Sequence, residues 1–328
     1  MPETYLVTGA TGSIGSAVVR YAARQGHTVR VFVRNAQKAR NVFAEELANA
    51  PDTLEIITGD ILQKESLAPA IQGASVLFHC TNFPITLFER NLEAMRNVMD
   101  LALEQGCHVI YPGNVWVYGK PQTVPIPETH PKQPCARLGE IKLRLDEMCM
   151  EYFQRHRLPV TILHLPDFYG PWVMNAWMQG NYEAALHGKP MQMLGNMQAL
   201  HEFIYIDEAA RAMNLVAQEA HTFGQHYNVP GYGGITLEDF SRYLYEAAGT
   251  TGKIRTAPAW LLRLMGIFNK EIGAFLEMRY LFEDEILLDG TKIKDAVGYV
   301  PEIDYRTGTQ RTMYWYKNLT TSERSRAS

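Results

Sequence analysis

The sequence predicts an α/β fold built on a doubly wound parallel sheet, and three observations predict it. In the first half, short apolar runs alternate with longer amphipathic ones, the pattern of strand–helix–strand units. A glycine turn, Thr8-Gly9-Ala10-Thr11-Gly12-Ser13-Ile14-Gly15, separates the first apolar run from the first amphipathic one. The chain of 328 residues, 46% hydrophobic and 20% charged, is also long enough to bury a sizeable core.

Each element follows in order. Residues 5–8 read as the first strand, 14–24 as the first helix, which Gly26 stops, and 27–33 as the second strand. Further strands are expected at 54–58, 74–79, 109–111 and 160–163, with helical patterns over 87–104 and 139–155. Such a sheet binds its ligand at the carboxyl ends of the strands. After Pro171 the texture changes: 172–194 is rich in Met, Trp, Gly and Asn, and 258–289 is dense in aromatic residues and Met. The expected division is a main domain over 1–170, rejoined by 203–230, and a smaller, mostly C-terminal substrate lobe from 171–202 and 231–320. The polar residues 321–328 read as a frayed tail.

Composition narrows the partners. A formal net charge of −4 offers no basic excess for nucleic acid or anionic lipid. Cys80, Cys107, Cys135 and Cys149 form no C-x-x-C and read as small buried hydrophobes in a reducing compartment. The N-terminus lacks a basic region followed by an apolar run, and no stretch approaches the roughly 18–20 apolar residues that span a bilayer. A cytoplasmic location is expected. The histidines show no metal-ligand spacing, so no metal is expected. No G-x-S-x-G elbow is present, which argues against a serine hydrolase.

The glycine turn points to a dinucleotide. Its glycines permit a tight turn, close approach of backbone to a pyrophosphate and close helix–strand packing. The helix N-terminus beyond it favours negative charge. The end of the second strand then selects the cofactor, because an acid there holds a ribose hydroxyl whereas an Arg accommodates a 2′-phosphate. The segment Val33-Arg34-Asn35-Ala36-Gln37-Lys38 has no acid. Arg34 and Lys38 form a phosphate clamp, or else a solvated basic surface at a helix start. NADP(H) is the preferred cofactor, with NAD(H) possible.

Further motifs accompany the turn: Gly59-Asp60-Ile61, Phe78-His79-Cys80-Thr81 with Asn91, Val117-Tyr118-Gly119, Asp167-Phe168-Tyr169-Gly170-Pro171, Phe203 to Ala209, and Tyr227-Asn228-Val229. Taken together, the chain resembles the extended short-chain dehydrogenase/reductase superfamily over nearly its whole length. The resemblance implies a Rossmann-type fold and a cofactor held by Gly9, Thr11, Gly12, Ser13, Ile14, Gly15, Asp60, Ile61, Cys80, Thr81 and Lys142, beside Arg34 and Lys38. It also implies a small-molecule substrate and, by analogy, a homodimer.

The resemblance breaks at the catalytic positions. The superfamily uses a Tyr-x-x-x-Lys pair and a Ser or Thr, the Tyr hydroxyl exchanging a proton as hydride moves. Lys142 falls where the Lys belongs, but Leu138 stands at the Tyr position and Asn114 at the Ser/Thr position. His164 replaces a frequent Arg and Asp167 an Asn. This combination resembles an atypical subgroup of the epimerase/dehydratase proteins.

Four residues are candidates for replacement chemistry. Lys142 is expected to reach the nicotinamide ribose, or to titrate low enough for acid–base work. Tyr118 offers a hydroxyl, or only anchors its loop. Asn114 bonds a substrate carbonyl or caps its turn. Asp167 with His164 forms a proton-shuttling pair, or the two satisfy local backbone groups. Trp172, Met174, Trp177, Met178, Met191 and Met193 line an apolar substrate cleft or fill the core of the lobe, and Lys189 is the segment's sole cation for a diphosphate. The leading expectation is an NADP(H)-dependent oxidoreductase acting on a small apolar or aromatic carbonyl or enone without the usual Tyr. The alternatives are a non-redox isomerase, lyase or cyclase, and a catalytically inactive NADP(H)-sensing protein.

Overall fold

A computed structural model describes residues 2–193, 195–256, 273 and 276–319. Strands β1 (Thr4–Thr8), β2 (Thr28–Val33), β3 (Leu54–Thr58), β4 (Val76–His79), β5 (His108–Asn114) and β6 (Val160–Leu165) alternate with helices. The helices are α1 (Ser13–Arg24), α2 (Ala36–Val42), α3 (Ala44–Asn49), α4 (Lys64–Ile71), α5 (Arg90–Gln105) and α6 (Arg137–His156). Beyond them lie β7 (Asp167–Tyr169), α7 (Ala176–Leu186), β8 (Met191–Met193), β9 (Leu200–His201), β10 (Phe203–Tyr205), α8 (Ile206–Ala217) and β11 (Gln225–Asn228). Next come β12 (Ile235–Thr236), α9 (Leu237–Ala248) and β13 (Ile254–Thr256), and the described chain ends in helices Tyr280–Glu283, Thr291–Val297 and Tyr305–Asn318.

Seven strands form one parallel sheet in the order β11-β6-β5-β4-β1-β2-β3. Its central strands are apolar on both faces, β4 and β6 being buried at every residue, as expected where helices cover both sides. One face packs on α1 and α8, the other on α4, α5 and α6. The order reverses between β1 and β4, so their carboxyl ends diverge and open a crevice, the usual place for a ligand in such sheets.

The alternation of the sequence therefore gives the sheet it predicts. The main difference lies in β5, which runs through Pro112 and Gly113 to Asn114 instead of stopping at Tyr111. Pro-Gly ordinarily marks a turn, but here Gly113 lies opposite His164 on β6. A Cβ on Gly113 would stand 3.0 Å from the His164 ring, so glycine permits the close approach.

The lobe methionines are core. Met174, Met178, Met191 and Met193 are buried in the cluster that includes α1, α8 and α9, with Trp172 and Trp177 packed on it. They do not line the clefts described below. Residues 258–272, 274 and 275 of the expected aromatic-rich stretch 258–289, and the expected tail 321–328, lie outside the described residues. Cys80, Cys107 and Cys149 are buried and free, whereas Cys135 is exposed, contrary to its expected burial. No helix among the described residues is long and apolar enough to cross a membrane.

Candidate cofactor cleft and active site

The glycine turn is shaped by three contacts. Gly9 has φ +64°, and a Cβ there would lie 2.6 Å from the backbone of Cys80 and Thr81. A Cβ on Gly15 would lie 2.3 Å from the Gly9 carbonyl oxygen, so both positions exclude every other residue. Gly12 caps α1 without any side-chain acceptor, leaving the first-turn amides directed at whatever occupies the turn. The Ser13 hydroxyl is held elsewhere, donating to the Trp172 carbonyl at 3.0 Å.

These groups open onto a cleft of about 620 Å³ at the β1/β4 divergence. Gly9, Thr11, Gly12, Ser13, Ile14, Arg34, Lys38, Asp60, Ile61, Cys80 and Thr81 all line it. Gly15 lies behind them, packed on Gly9. Asn35 caps α2 by accepting the Lys38 amide at 2.9 Å, which fixes the turn carrying Arg34 and Lys38. Both cations are exposed and, among the described residues, have no acidic partner. The Asp60 carboxylate accepts the Leu62 amide at 3.0 Å. Sequence reasoning missed the far wall, where Asn82, Phe83, Pro84, Leu87 and Arg90 also line the cleft. Only the neighbouring Asn91 gave a signal: its carboxamide accepts the Phe83 amide at 3.2 Å and so shapes that wall.

Lys142 stands behind this wall. Its Nζ lies 3.3 Å from Asn82 Oδ1 and 3.3 Å from the Tyr111 hydroxyl, over the faces of Phe88 and Tyr111. Burial pushes its ammonium down to about 8, with Asp146 pulling the other way. Leu138, one helical turn earlier on α6, is buried in apolar packing and offers no proton. His79, beside the same Tyr111 ring, bonds Thr8 Oγ1 at 3.0 Å; burial and then Lys142 push it down to about 3.

Two expected candidates are spent on structure. The Tyr118 hydroxyl is fully buried, donates to Asn228 Oδ1 at 2.7 Å and meets His164 Nδ1 at 2.8 Å. Burial, with Glu128 and Asp146 nearby, pushes its pKa far above the ordinary phenol value, so it is no proton donor to a cleft. Asn114 Oδ1 accepts the Trp116 amide at 3.2 Å and caps the turn after β5.

The expected Asp167–His164 pair does not form. His164 Nε2 bonds Asp146 Oδ2 at 2.7 Å, and Lys132 Nζ reaches the same oxygen at 2.6 Å. Burial alone would lift the Asp146 carboxyl, but His164 and Lys132 outweigh it and hold the group at about 2. The reason is register: Asp146 on α6 lies over Gly113 and His164, whereas Asp167 belongs to β7, which pairs with β10.

Asp167 instead lines a small recess of about 20 Å³ with Val115, Pro166, His201, Glu202, Phe203, Leu281, Phe282 and Ile286. Asp167 is exposed at this recess, and desolvation by the protein beside it pushes its carboxyl up to about 6. Phe168, its neighbour, lines the large cleft. Glu202 is buried, accepts the Leu288 amide at 3.0 Å, and burial lifts it to about 8 against those backbone bonds. His201 Nδ1 faces the Leu281 carbonyl at 3.2 Å.

A parallel sheet with a glycine turn at its switch point, and a buried Lys behind the cleft wall, is the architecture of a Rossmann-type dinucleotide fold. Residues 5–230 match the NAD dependent epimerase/dehydratase family, and the chain belongs to it. It is 24% identical over 338 residues to a UDP-N-acetyl-alpha-D-glucosaminuronate decarboxylase of Bacillus cytotoxicus, covering 97% of this chain and 99% of that one. It is 23% identical to a dTDP-glucose 4,6-dehydratase of Streptomyces antibioticus, covering 95% and 92%. The crystal structure of a UDP-glucuronic acid 4-epimerase from Bacillus cereus, in complex with UDP-glucuronic acid and NAD, superposes with a TM-score of 0.81 at 19% identity. That superposition covers 97% of this chain and 100% of that one, and it shares the fold.

Proposed function

We propose that the chain is an NADP(H)-dependent oxidoreductase of a small apolar or aromatic carbonyl or enone, working without a tyrosine acid. The observation that carries this reading is the cleft itself. It joins a glycine turn fit for a pyrophosphate to two exposed cations, Arg34 and Lys38, where a 2′-phosphate would lie. A bound nicotinamide supplies or accepts the hydride. The first-turn amides of α1 hold its phosphates, and Lys142 donates to the ribose hydroxyls from behind Asn82. Asp167 carries the proton, because it opens on a recess beside the cleft and its acidity near 6 suits exchange at neutral pH.

In this reading residues 1–170 with 203–230 hold the cofactor, and 171–202 with 231–320 shape the substrate side. The apolar wall of Val115, Phe203 and Phe282 supports an apolar substrate. The relatives carry nucleotide-sugar enzyme names, the family is described as NAD dependent, and the superposed epimerase holds NAD. Leu138 favours a second reading, in which the scaffold turns a substrate over with no net redox change.

The test is NADPH absorbance while aldehydes, ketones and enones are added in turn. Consumption of NADPH supports the first reading, conversion of substrate without it supports the second, and no conversion of any carbonyl sinks both. Arg34→Ala is expected to weaken NADPH at least tenfold and leave NADH unchanged, since a charge-assisted phosphate contact contributes about 1.5–3 kcal/mol. Equal affinities in the parent protein would overturn the NADP(H) preference.

A further inference from the structure

Lys142 is buried, with 7% of its surface exposed, whereas Asn82, which it bonds, is exposed and lines the cofactor cleft. The Lys142 ammonium donates to Asn82 Oδ1 and to the Tyr111 hydroxyl, each at 3.3 Å. We infer that Asn82 is a cofactor-binding residue through which Lys142 acts: the ammonium holds the carboxamide oxygen, and the carboxamide Nδ2 donates to a ribose hydroxyl oxygen of the dinucleotide. The inference rests on the cofactor reading above and specifies how Lys142 serves the ribose from behind Asn82.

Donor chemistry sets the direction of this relay. A lysine ammonium offers three N–H groups and no acceptor, so the amide oxygen of Asn82 must face it and the NH2 must face away. Among the described residues that NH2 has no partner, and the side chain borders the open cleft. Burial supplies the driving force. Among the described residues no carboxylate forms an ion pair with Lys142, and Asp146, one turn further along α6, is engaged by His164 and Lys132. A poorly hydrated cation polarises the groups it bonds, and in a chain of hydrogen bonds each one strengthens the next. The carboxamide thus carries part of the buried charge to the cleft without any movement of the lysine. Placement agrees. Asn82 directly follows Cys80 and Thr81, whose backbone lies 2.6 Å from where a Cβ of Gly9 would stand, so it starts beside the glycine turn. The Phe88 and Tyr111 rings, with centroids 5.7 and 5.6 Å from Nζ, hold the ammonium in place.

The relay has a pH signature that belongs to Lys142. His79, lowered to about 3, and Asp146, held at about 2, keep their charge states near pH 8. So does Tyr111, which burial raises well above an ordinary phenol. The experiment is calorimetric titration of NADPH into the full chain at pH values on either side of about 8, for the parent, Asn82→Ala, Lys142→Met and the double variant. Affinity in the parent is expected to fall as pH rises through that value. Asn82→Ala should lose about fivefold at the lower pH, the worth of one hydrogen bond, and show no step. Lys142→Met should lose the step too, and adding it to Asn82→Ala should cost less than about twofold more, because the two act in series. Asn82 is exposed, so its alanine variant spares the core, and thermal melts check that every variant is folded. A step that survives in Asn82→Ala overturns the inference, since Lys142 then reaches the cofactor directly. Fully additive losses in the double variant, or a parent that binds NADPH without a step, overturn it as well. None of these results bears on NADPH consumption in the carbonyl assay, where the proposed activity stands or falls.

Discussion

Asp146 and His164 are joined by a 2.7 Å hydrogen bond inside the protein, and the other nitrogen of the same ring meets the Tyr118 hydroxyl at 2.8 Å. Lys132 and Asn228 complete a chain that ties α6, β6, the loop after β5 and the edge strand β11 into one unit. Every member of that chain has a structural partner, so His164 and Tyr118 are accounted for as framework, and the proposed chemistry rests on Lys142 and Asp167 instead.

Tyr118→Phe tests that division. The substitution leaves His164 Nδ1 and Asn228 Oδ1 without their shared hydroxyl, at a cost of about 1–3 kcal/mol. Denaturant melts should show that loss while the KM for NADPH stays within twofold. A large fall in kcat at unchanged stability would return Tyr118 to the active site.

Gly15→Ala probes the turn. The added methyl would stand 2.3 Å from the Gly9 carbonyl oxygen, so the turn must shift to admit it. Cofactor affinity measured by calorimetry is expected to fall at least a hundredfold while the far-UV spectrum stays that of a folded protein. Unchanged affinity would mean that the dinucleotide binds elsewhere.

Lys142 sets a pH dependence. Its ammonium, lowered to about 8 by burial, is charged below that pH and neutral above it. A hydrogen bond from a charged donor is worth roughly twice one from a neutral donor. NADPH affinity should therefore weaken as pH rises through about 8, and the step should vanish in Lys142→Met.

Glu202 sets a second one, in stability. Its folded-state value of about 8 lies above the ordinary 4.5, so the fold favours the protonated form. The stabilisation is complete below pH 4.5, is lost progressively as pH rises through 8, and is constant beyond. Glu202→Gln should flatten the melting temperature across that window and melt several degrees above the parent at its upper end. A parallel offset at all pH values would show that Glu202 is ionised in the fold.

How much of this was legible in the sequence depended on how local the cause was. The turn was, because Gly9 and Gly15 occupy positions where only glycine fits, and the order strand–turn–helix is local. The sheet was, because buried parallel strands read as short apolar runs. The extra length of β5 was not, since the residue that admits Pro112-Gly113 into the sheet, His164, lies on another strand. The partner of His164 was equally hidden: Asp146 reaches it only because α6 packs across β5 and β6. The recess was invisible for the same reason, its lining coming from segments near 115, 167, 202 and 282.

The placement of β11 has a consequence for how the chain comes together. Its partner β6 ends at Leu165, and β11 begins only at Gln225, so about sixty residues must emerge before that side of the sheet is covered. Until then the row of unpaired amides and carbonyls on β6 is a template for any passing strand. Fragments cut off before residue 225 should consequently clump, and the full chain should acquire its native state slowly, waiting on a long-distance pairing.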